Sequence, residues 1–254
     1  MKLSIAGKSF AAAAAIVGLV SFAPVAPAAE IVETGWDLFT TTSGTTFGGA
    51  PFTGVPLGSF DFGGTIGLKP VGNTDTIVQR KDVADAPTDT IRTELVALQL
   101  VSTAPVDFGL GADFYYITLQ SVRGGPASTG SMTIDFAGTP QPYTFDSFFD
   151  VFFDVRKGGL TGPISLSDLL VLSSNDTPWG HIPPPLTLLI DDVNNNLNGT
   201  NHDADFFPLN NVIETHPTGA QHNVTTTTVP EPATLALLAL GIAGLGFMRR
   251  RRVA

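Results

Sequence analysis

Short runs in which apolar and polar side chains alternate recur through the middle of this chain of 254 residues. In residues 131–136, Met132, Ile134 and Phe136 fall on one face and Thr133 and Asp135 on the other, the period-two pattern of a half-buried strand. Residues 59–62 alternate in the same way, and residues 76–79 are a short β-branched run. Residues 91–102 and 114–122 are longer stretches, the second rich in aromatic and β-branched side chains. Residues 186–190 form another apolar run. Clusters of Gly and Pro punctuate these runs: Gly48-Gly49-Ala50-Pro51, Gly63-Gly64, Gly124-Gly125-Pro126, Gly158-Gly159 and Pro183-Pro184-Pro185. No strand–helix–strand rhythm is visible. Many short strands separated by turns predict an all-β, antiparallel body, a β-sandwich with jelly-roll-like character.

Two segments fit more than one pattern. In residues 145–155, Phe145, Phe149, Val151, Phe153 and Val155 share one strand face, while Asp146, Asp150 and Asp154 share the other with Phe148 and Phe152. The aspartates recur every four residues, which also suits a helix, but the aromatic content favours a strand. Three like charges on one face suggest either a cation site or a solvated surface beside the core. Residues 165–173 read as a short helix, with Ser165 as N-cap and Asp168 in the capping-box position.

The two ends have a different character. Lys2 and Lys8 precede an 11-residue apolar run over residues 10–20, followed by a segment rich in Pro and Ala. The run is too short to cross about 30 Å of hydrocarbon. Ala26-Pro27-Ala28 fits the small-x-small pattern read by signal peptidase, so residues 1–28 are expected to be a Sec signal peptide cleaved after Ala28. At the other end, residues 233–248 carry no charge and are followed by Arg249, Arg250, Arg251 and Arg252. Sixteen residues make a helix of about 24 Å, slightly short for a bilayer, and thinning and snorkelling arginine stems close the gap. Four arginines resist translocation, so they mark the cytoplasmic side and leave the body beyond the inner membrane.

Immediately before that helix stands Pro230-Glu231-Pro232. Proline fixes its own φ and disfavours helix in the residue before it, so Val229 and Glu231 are held extended, a form a protease-like cleft can grip. The proline-flanked glutamate, the apolar helix and the terminal arginine cluster together resemble the PEP-CTERM sorting signal of exopolysaccharide-producing Gram-negative bacteria. The resemblance covers about the last 26 residues. It implies recognition of Pro230, Glu231 and Pro232 by an exosortase, a membrane-embedded cysteine transpeptidase, with transient anchoring in the inner membrane and removal of the tail. The mature protein would then sit at the cell envelope or outside the cell. The chain therefore divides into residues 1–28, an exported β domain over 29–224, and residues 225–254. The last part holds a Thr-rich spacer, the motif at 229–234, the transmembrane helix at 233–248 and the arginine cluster.

Charge sharpens the picture of the body. Six of the 13 basic residues lie in the two ends, so residues 29–230 hold 7 basic and 22 acidic side chains, a net charge near −15. Such a surface is repelled by nucleic acid and by anionic polysaccharide unless divalent cations bridge the two. The chain has no cysteine, which excludes disulfides, Cys-ligated zinc, iron–sulfur clusters and a cysteine nucleophile.

No catalytic motif is recognisable. Four histidines, His181, His202, His216 and His222, are available for a serine-type triad, and nothing in the sequence selects one. Asn194, Asn196, Asn198, Gly199 and Asp205 follow the spacing of an EF-hand calcium loop, with oxygen donors at positions 1, 3, 5 and 12. Asn at the first position and Asp at the last weaken the match, and a plain Asn/Gly turn explains the same residues. The reading favoured overall is an exported structural or interaction protein sorted to the envelope or polysaccharide matrix. The alternatives are a calcium-assisted carbohydrate-binding β-sandwich and a secreted carbohydrate hydrolase.

Overall fold

The computed structural model describes residues 30–137, 142–195 and 205–229. The signal peptide with Ala26 and Ala28, the Pro230-Glu231-Pro232 motif, the apolar tail, the arginine cluster, Asn196 and Asn198 lie outside the described residues. Within the described residues sixteen strands succeed one another: β1 (Ile31–Val32), β2 (Gly35–Thr41), β3 (Thr46–Phe47), β4 (Ala50–Gly54), β5 (Gly58–Asp61), β6 (Leu68–Gly72), β7 (Thr76–Arg80), β8 (Ala84–Asp85) and β9 (Thr88–Ser102). Then come β10 (Tyr115–Leu119), a 3₁₀ turn at Gln120–Arg123, β11 (Ser128–Asp135), β12 (Tyr143–Lys157), β13 (Ile164–Gly180), β14 (Phe207–Pro208), β15 (Val212–Thr215) and β16 (Gln221–Thr226). Among the described residues no helix is long and apolar enough to cross a membrane.

Twelve of these strands form one sheet whose pairings close on themselves. β2 and β3 lie in file against β16, β4 and β7 in file against β9, and β14 and β15 in file against β13. β10 and β11 run in file between β9 and β12. The sheet thus has eight lines, all antiparallel, each beside its neighbour in the chain: β2/β3, β4/β7, β9, β10/β11, β12, β13, β14/β15, β16 and back to β2. The all-β antiparallel expectation holds, in a barrel- or sandwich-like body. Its connections are those of an up-and-down meander, not the crossing connections of a jelly roll. Eight lines enclose a space that side chains nearly fill.

Alternation puts the apolar residues inside. On β12, Phe145, Phe149, Val151, Phe153 and Val155 are buried, as the strand reading required, and Asp146 and Phe148 face outward. On β11, Met132 and Ile134 point in, with Phe136 just beyond the strand. β9 changes parity: Ile77 of β7 pairs with Ala97 but Val78 pairs with Leu95, so Val96 is an extra residue. Before this bulge Ile91 and Leu95 point inward; after it Leu98 and Leu100 do, while Ala97 turns out. Ala97, Leu38 and Ile77 make a second apolar cluster, covered by the hairpin of β5 and β6 through Phe62 and Val71 and by Ile190 and Val193. One end of the barrel is closed by aromatics: Trp179, fully buried, packs edge-on to Phe136 and donates its indole N–H to the Thr144 carbonyl at 3.0 Å.

Three local expectations are corrected. Residues 165–173 are part of β13, because β12 supplies a backbone partner along almost its whole length, which overrides the weak helical signal. The apolar run at 186–190 is not a strand but a strap, turning back at Pro184–Thr187 to lie over β2. The three aspartates of β12 do not converge. Residues four apart on a strand stand about 13 Å from one another. Asp154 instead meets Arg123 at 2.6 Å, Arg156 at 2.9 Å and the Ser167 hydroxyl at 2.6 Å. Burial pushes its carboxyl up, but these partners together hold it below the usual carboxylate range.

Candidate functional site

The sorting segment leaves the barrel with no slack. Thr225 and Thr226 pair with Thr40 and Phe39 as the end of β16. Thr227 is fully buried; its N–H donates to the Leu38 carbonyl at 2.9 Å, and its carbonyl accepts the Leu188 N–H at 2.7 Å. Its hydroxyl lies 3.0 Å from those of Thr40 and Thr74. Thr228 bridges to Thr187, and the Val229 N–H donates to the Leu186 carbonyl at 2.8 Å. Residues 225–228, expected to be a free spacer, are therefore bonded to the body. Threonine is β-branched, and here it prefers a ladder to a loose linker. Pro230 comes directly after.

Inside the barrel a chain of polar groups crosses the apolar core. The Asp75 carboxylate accepts the Thr41 N–H at 2.8 Å, the Thr41 hydroxyl at 2.6 Å and the Thr76 hydroxyl at 2.8 Å. Both threonine oxygens face His222 Nε2, at 3.3 and 3.5 Å. On the other side His222 Nδ1 lies 3.6 Å from Glu214, whose second oxygen is 3.4 Å from the Ser147 hydroxyl. Ser147 in turn meets Ser174 at 2.8 Å. Four of these residues border a cavity of about 20 Å³, measured as space open to the centre of a water molecule. Phe39, Val78, Leu95, Met132, Phe145 and Phe149 make its apolar wall, and Thr76, Ser147, Glu214 and His222 the polar one. That is room for one or two waters.

The sequence named His222 without distinguishing it and did not point to Asp75 or Glu214. Thr41 and His222 are 181 residues apart, so no local spacing marks them. Ser147 bonds to Ser174 and Glu214, and the Thr41 proton is engaged by Asp75. The chain fastens β2, β7, β16, β15, β12 and β13 to one another across the interior. It does so where the ladder is thinnest, since β13 and β15 share one residue pair, Ser173 with Thr215.

Burial raises the Asp75 carboxyl, while its hydrogen bonds from Thr41 and Thr76 and the nearby His222 pull the other way. A carboxyl raised on folding binds its proton more tightly in the folded state. Its contribution to stability is therefore greatest in acid and declines as pH rises from the unfolded value, about 3.9, through the raised folded one. Relative to Asp75→Asn, the wild type should lose stability as pH climbs through that window. Thermal unfolding of both proteins across the acid range measures this; parallel profiles would contradict it.

Of the residues spaced like a calcium loop, Asn194 and Asp205 are described. The Asn194 side chain closes a turn, accepting the Ile190 N–H at 2.8 Å and donating to the Leu188 carbonyl at 2.7 Å. Asp205 is buried, and its carbonyl faces His181 Nδ1 at 2.6 Å. The other His181 nitrogen lies 2.9 Å from Glu30, which also accepts the Tyr143 hydroxyl at 2.9 Å. Among the described residues no group of three or more His, Cys, Asp or Glu side chains is placed to hold a metal ion.

Residues 228–252 match the family model of the PEP-CTERM protein-sorting motif. The match starts at Thr228, one residue after the last fully buried threonine. The motif marks the chain as a secreted protein targeted to an exosortase, anchored in a membrane before processing. Compared with curated proteins and with solved structures, the chain has no match.

Proposed function

We propose that this chain is an exported structural or interaction protein. Signal peptidase cuts after Ala28 during passage through the inner membrane, and the apolar tail holds the precursor there. An exosortase then recognises Pro230, Glu231 and Pro232 and removes the tail. The acidic barrel is left at the cell envelope or in the extracellular polysaccharide matrix, where divalent cations would bridge it to anionic sugars. The observation that carries this reading is the junction. Backbone hydrogen bonds tie the chain to the body as far as Val229, the residue before Pro230, and the sorting-motif match spans residues 228–252. A cut beyond Val229 leaves every one of these bonds in place, as a removable address requires. The first described residue supports the same division. Glu30, two residues past the expected signal cleavage, is already bonded to His181 and Tyr143, and its carbonyl accepts the Ala86 N–H at 3.1 Å.

Deletion of residues 230–254 tests the proposal. The truncated protein should fold and be exported but appear in the medium without a membrane-bound precursor stage. Immunoblots of membrane and medium fractions that show retention and processing indistinguishable from the full chain would refute it.

A further inference from the structure

We infer that the barrel end from which the tail departs is a lipid-contact surface, seated on the bilayer while the precursor is still anchored. The inference rests on the reading of the tail as an anchor and adds a role for the body itself. Residues 181–190, His-Ile-Pro-Pro-Pro-Leu-Thr-Leu-Leu-Ile, contain no Asp, Glu, Lys or Arg. Within them Ile182, Leu186 and Leu189 are 69, 67 and 42% exposed, and Val229 is 45% exposed. The hydrogen bond from Val229 to Leu186 puts the exposed leucine beside the point where the tail leaves.

Leu186 is also conformationally out of place. The Thr187 N–H and hydroxyl both donate to the Pro184 carbonyl, at 3.1 and 2.7 Å, and the tight turn drives Leu186 to φ +66°. That left-handed conformation suits Gly or Asn and is unfavourable for leucine. A leucine held there with its side chain in solvent adds little to the core. Its apolar character finds a use once something apolar lies against it.

Distance supplies that partner. Only Pro230, Glu231 and Pro232 separate Val229 from the apolar stretch beginning at Ala233. Fully extended, the four steps from Val229 to Ala233 span at most roughly 14 Å. If Ala233 enters the hydrocarbon, Leu186 and Val229 are kept within reach of the headgroup layer, where exposed aliphatic side chains partition into the interface. Asp191 and Asp192, both exposed, bound the patch and stay in headgroup water. Seated this way, the barrel presents Pro230, Glu231 and Pro232 at the membrane surface, at the depth of a membrane-embedded exosortase.

The chain has no cysteine, so single cysteines report position without background. The full chain carrying Leu186→Cys, and separately Gly159→Cys, is labelled with an environment-sensitive dye. It is then reconstituted in phosphatidylethanolamine–phosphatidylglycerol vesicles doped with brominated lipid. Gly159 lies in the β12–β13 turn at the opposite end, with open space around it. Ile182→Cys is a second reporter should Leu186→Cys disturb the turn. The labels at 186 and 182 are expected to be quenched several-fold more than that at 159. Vesicle-bound protein with equal quenching at both ends overturns the inference and leaves the anchor reading intact. Shielding at 186 without lipid quenching, with 186–186 cross-links, assigns the patch to a second copy and also overturns it. Protein that does not float with the vesicles defeats the anchor reading, and this inference with it.

Discussion

Arg80→Ala should lower the stability of the barrel by about 3–5 kcal/mol, the range found when one partner of a buried ion pair is removed. Arg80 and Asp37 pair with both side chains almost fully buried. The Arg80 guanidinium also lies over the Phe206 ring, 5.2 Å from its centre, and donates from Nε to the Glu33 carbonyl at 3.1 Å. Asp37 is poorly compensated even so. Burial pushes its carboxyl up, Arg80 only partly opposes this, and its Oδ2 is buried with no hydrogen-bond partner among the described residues. Without Arg80 the carboxylate must be protonated to remain inside, so the loss should grow as pH rises above the ordinary carboxyl range. Replacing both groups, with Arg80→Met and Asp37→Leu together, should recover most of the deficit, because a matched apolar pair avoids both desolvation terms. Chemical denaturation of the single and double variants across pH checks this. An unchanged midpoint for Arg80→Ala would show that the pair does not support the fold.

Gly54→Ala is the second large effect, about 3 kcal/mol or more. A Cβ built on Gly54 would stand 1.7 Å from Asp75 Oδ2 and 2.5 Å from its Cγ. Neither β4 nor the carboxylate can give way cheaply. β4 is paired to β9 on one side and β3 on the other, and Asp75 holds three short hydrogen bonds from Thr41 and Thr76. Overpacking costs about 1–3 kcal/mol, and each buried donor left unpaired a further 1–3. The two residues should behave as one unit. Asp75→Ala removes the obstruction, so adding Gly54→Ala to it should cost far less than Gly54→Ala does in the wild type. A double-mutant cycle by denaturant unfolding measures the difference. Additive losses would mean that the methyl group and the carboxylate do not compete for the same space.

How much could be read from sequence depends on how local each signal is. β12 declared itself because five alternate aromatic and β-branched residues fall within one strand. The start of β13 did not, because Ser, Leu and Asp at spacings of one to four residues fit a helix as well as a strand, and the tie was broken by its partner. Barrel closure was hidden, since it joins β16 to β2 from opposite ends of the body, Val224 to Thr41, and the parity change of β9 depends on one bulged residue. The tail was legible because motif, apolar stretch and arginines are contiguous. The Asp75–His222–Glu214 chain was not, because Asp75 lies far along the chain from the paired residues Glu214 and His222, and each looks like an ordinary polar residue in its own neighbourhood. The threonines at 225–228 misled for the opposite reason: a short polar run looks like a linker until β2 pairs with it.

The most direct test of the removable tail is the intact mass of the protein recovered from cells and from medium. The expected result is a precursor in membranes that retains the arginine cluster, and an extracellular species that begins at Ala29 and ends near Pro230, with any group added at the cut visible as excess mass. An extracellular protein that still carries residues 233–254 would contradict the reading of the C-terminus as a sorting signal distinct from the barrel.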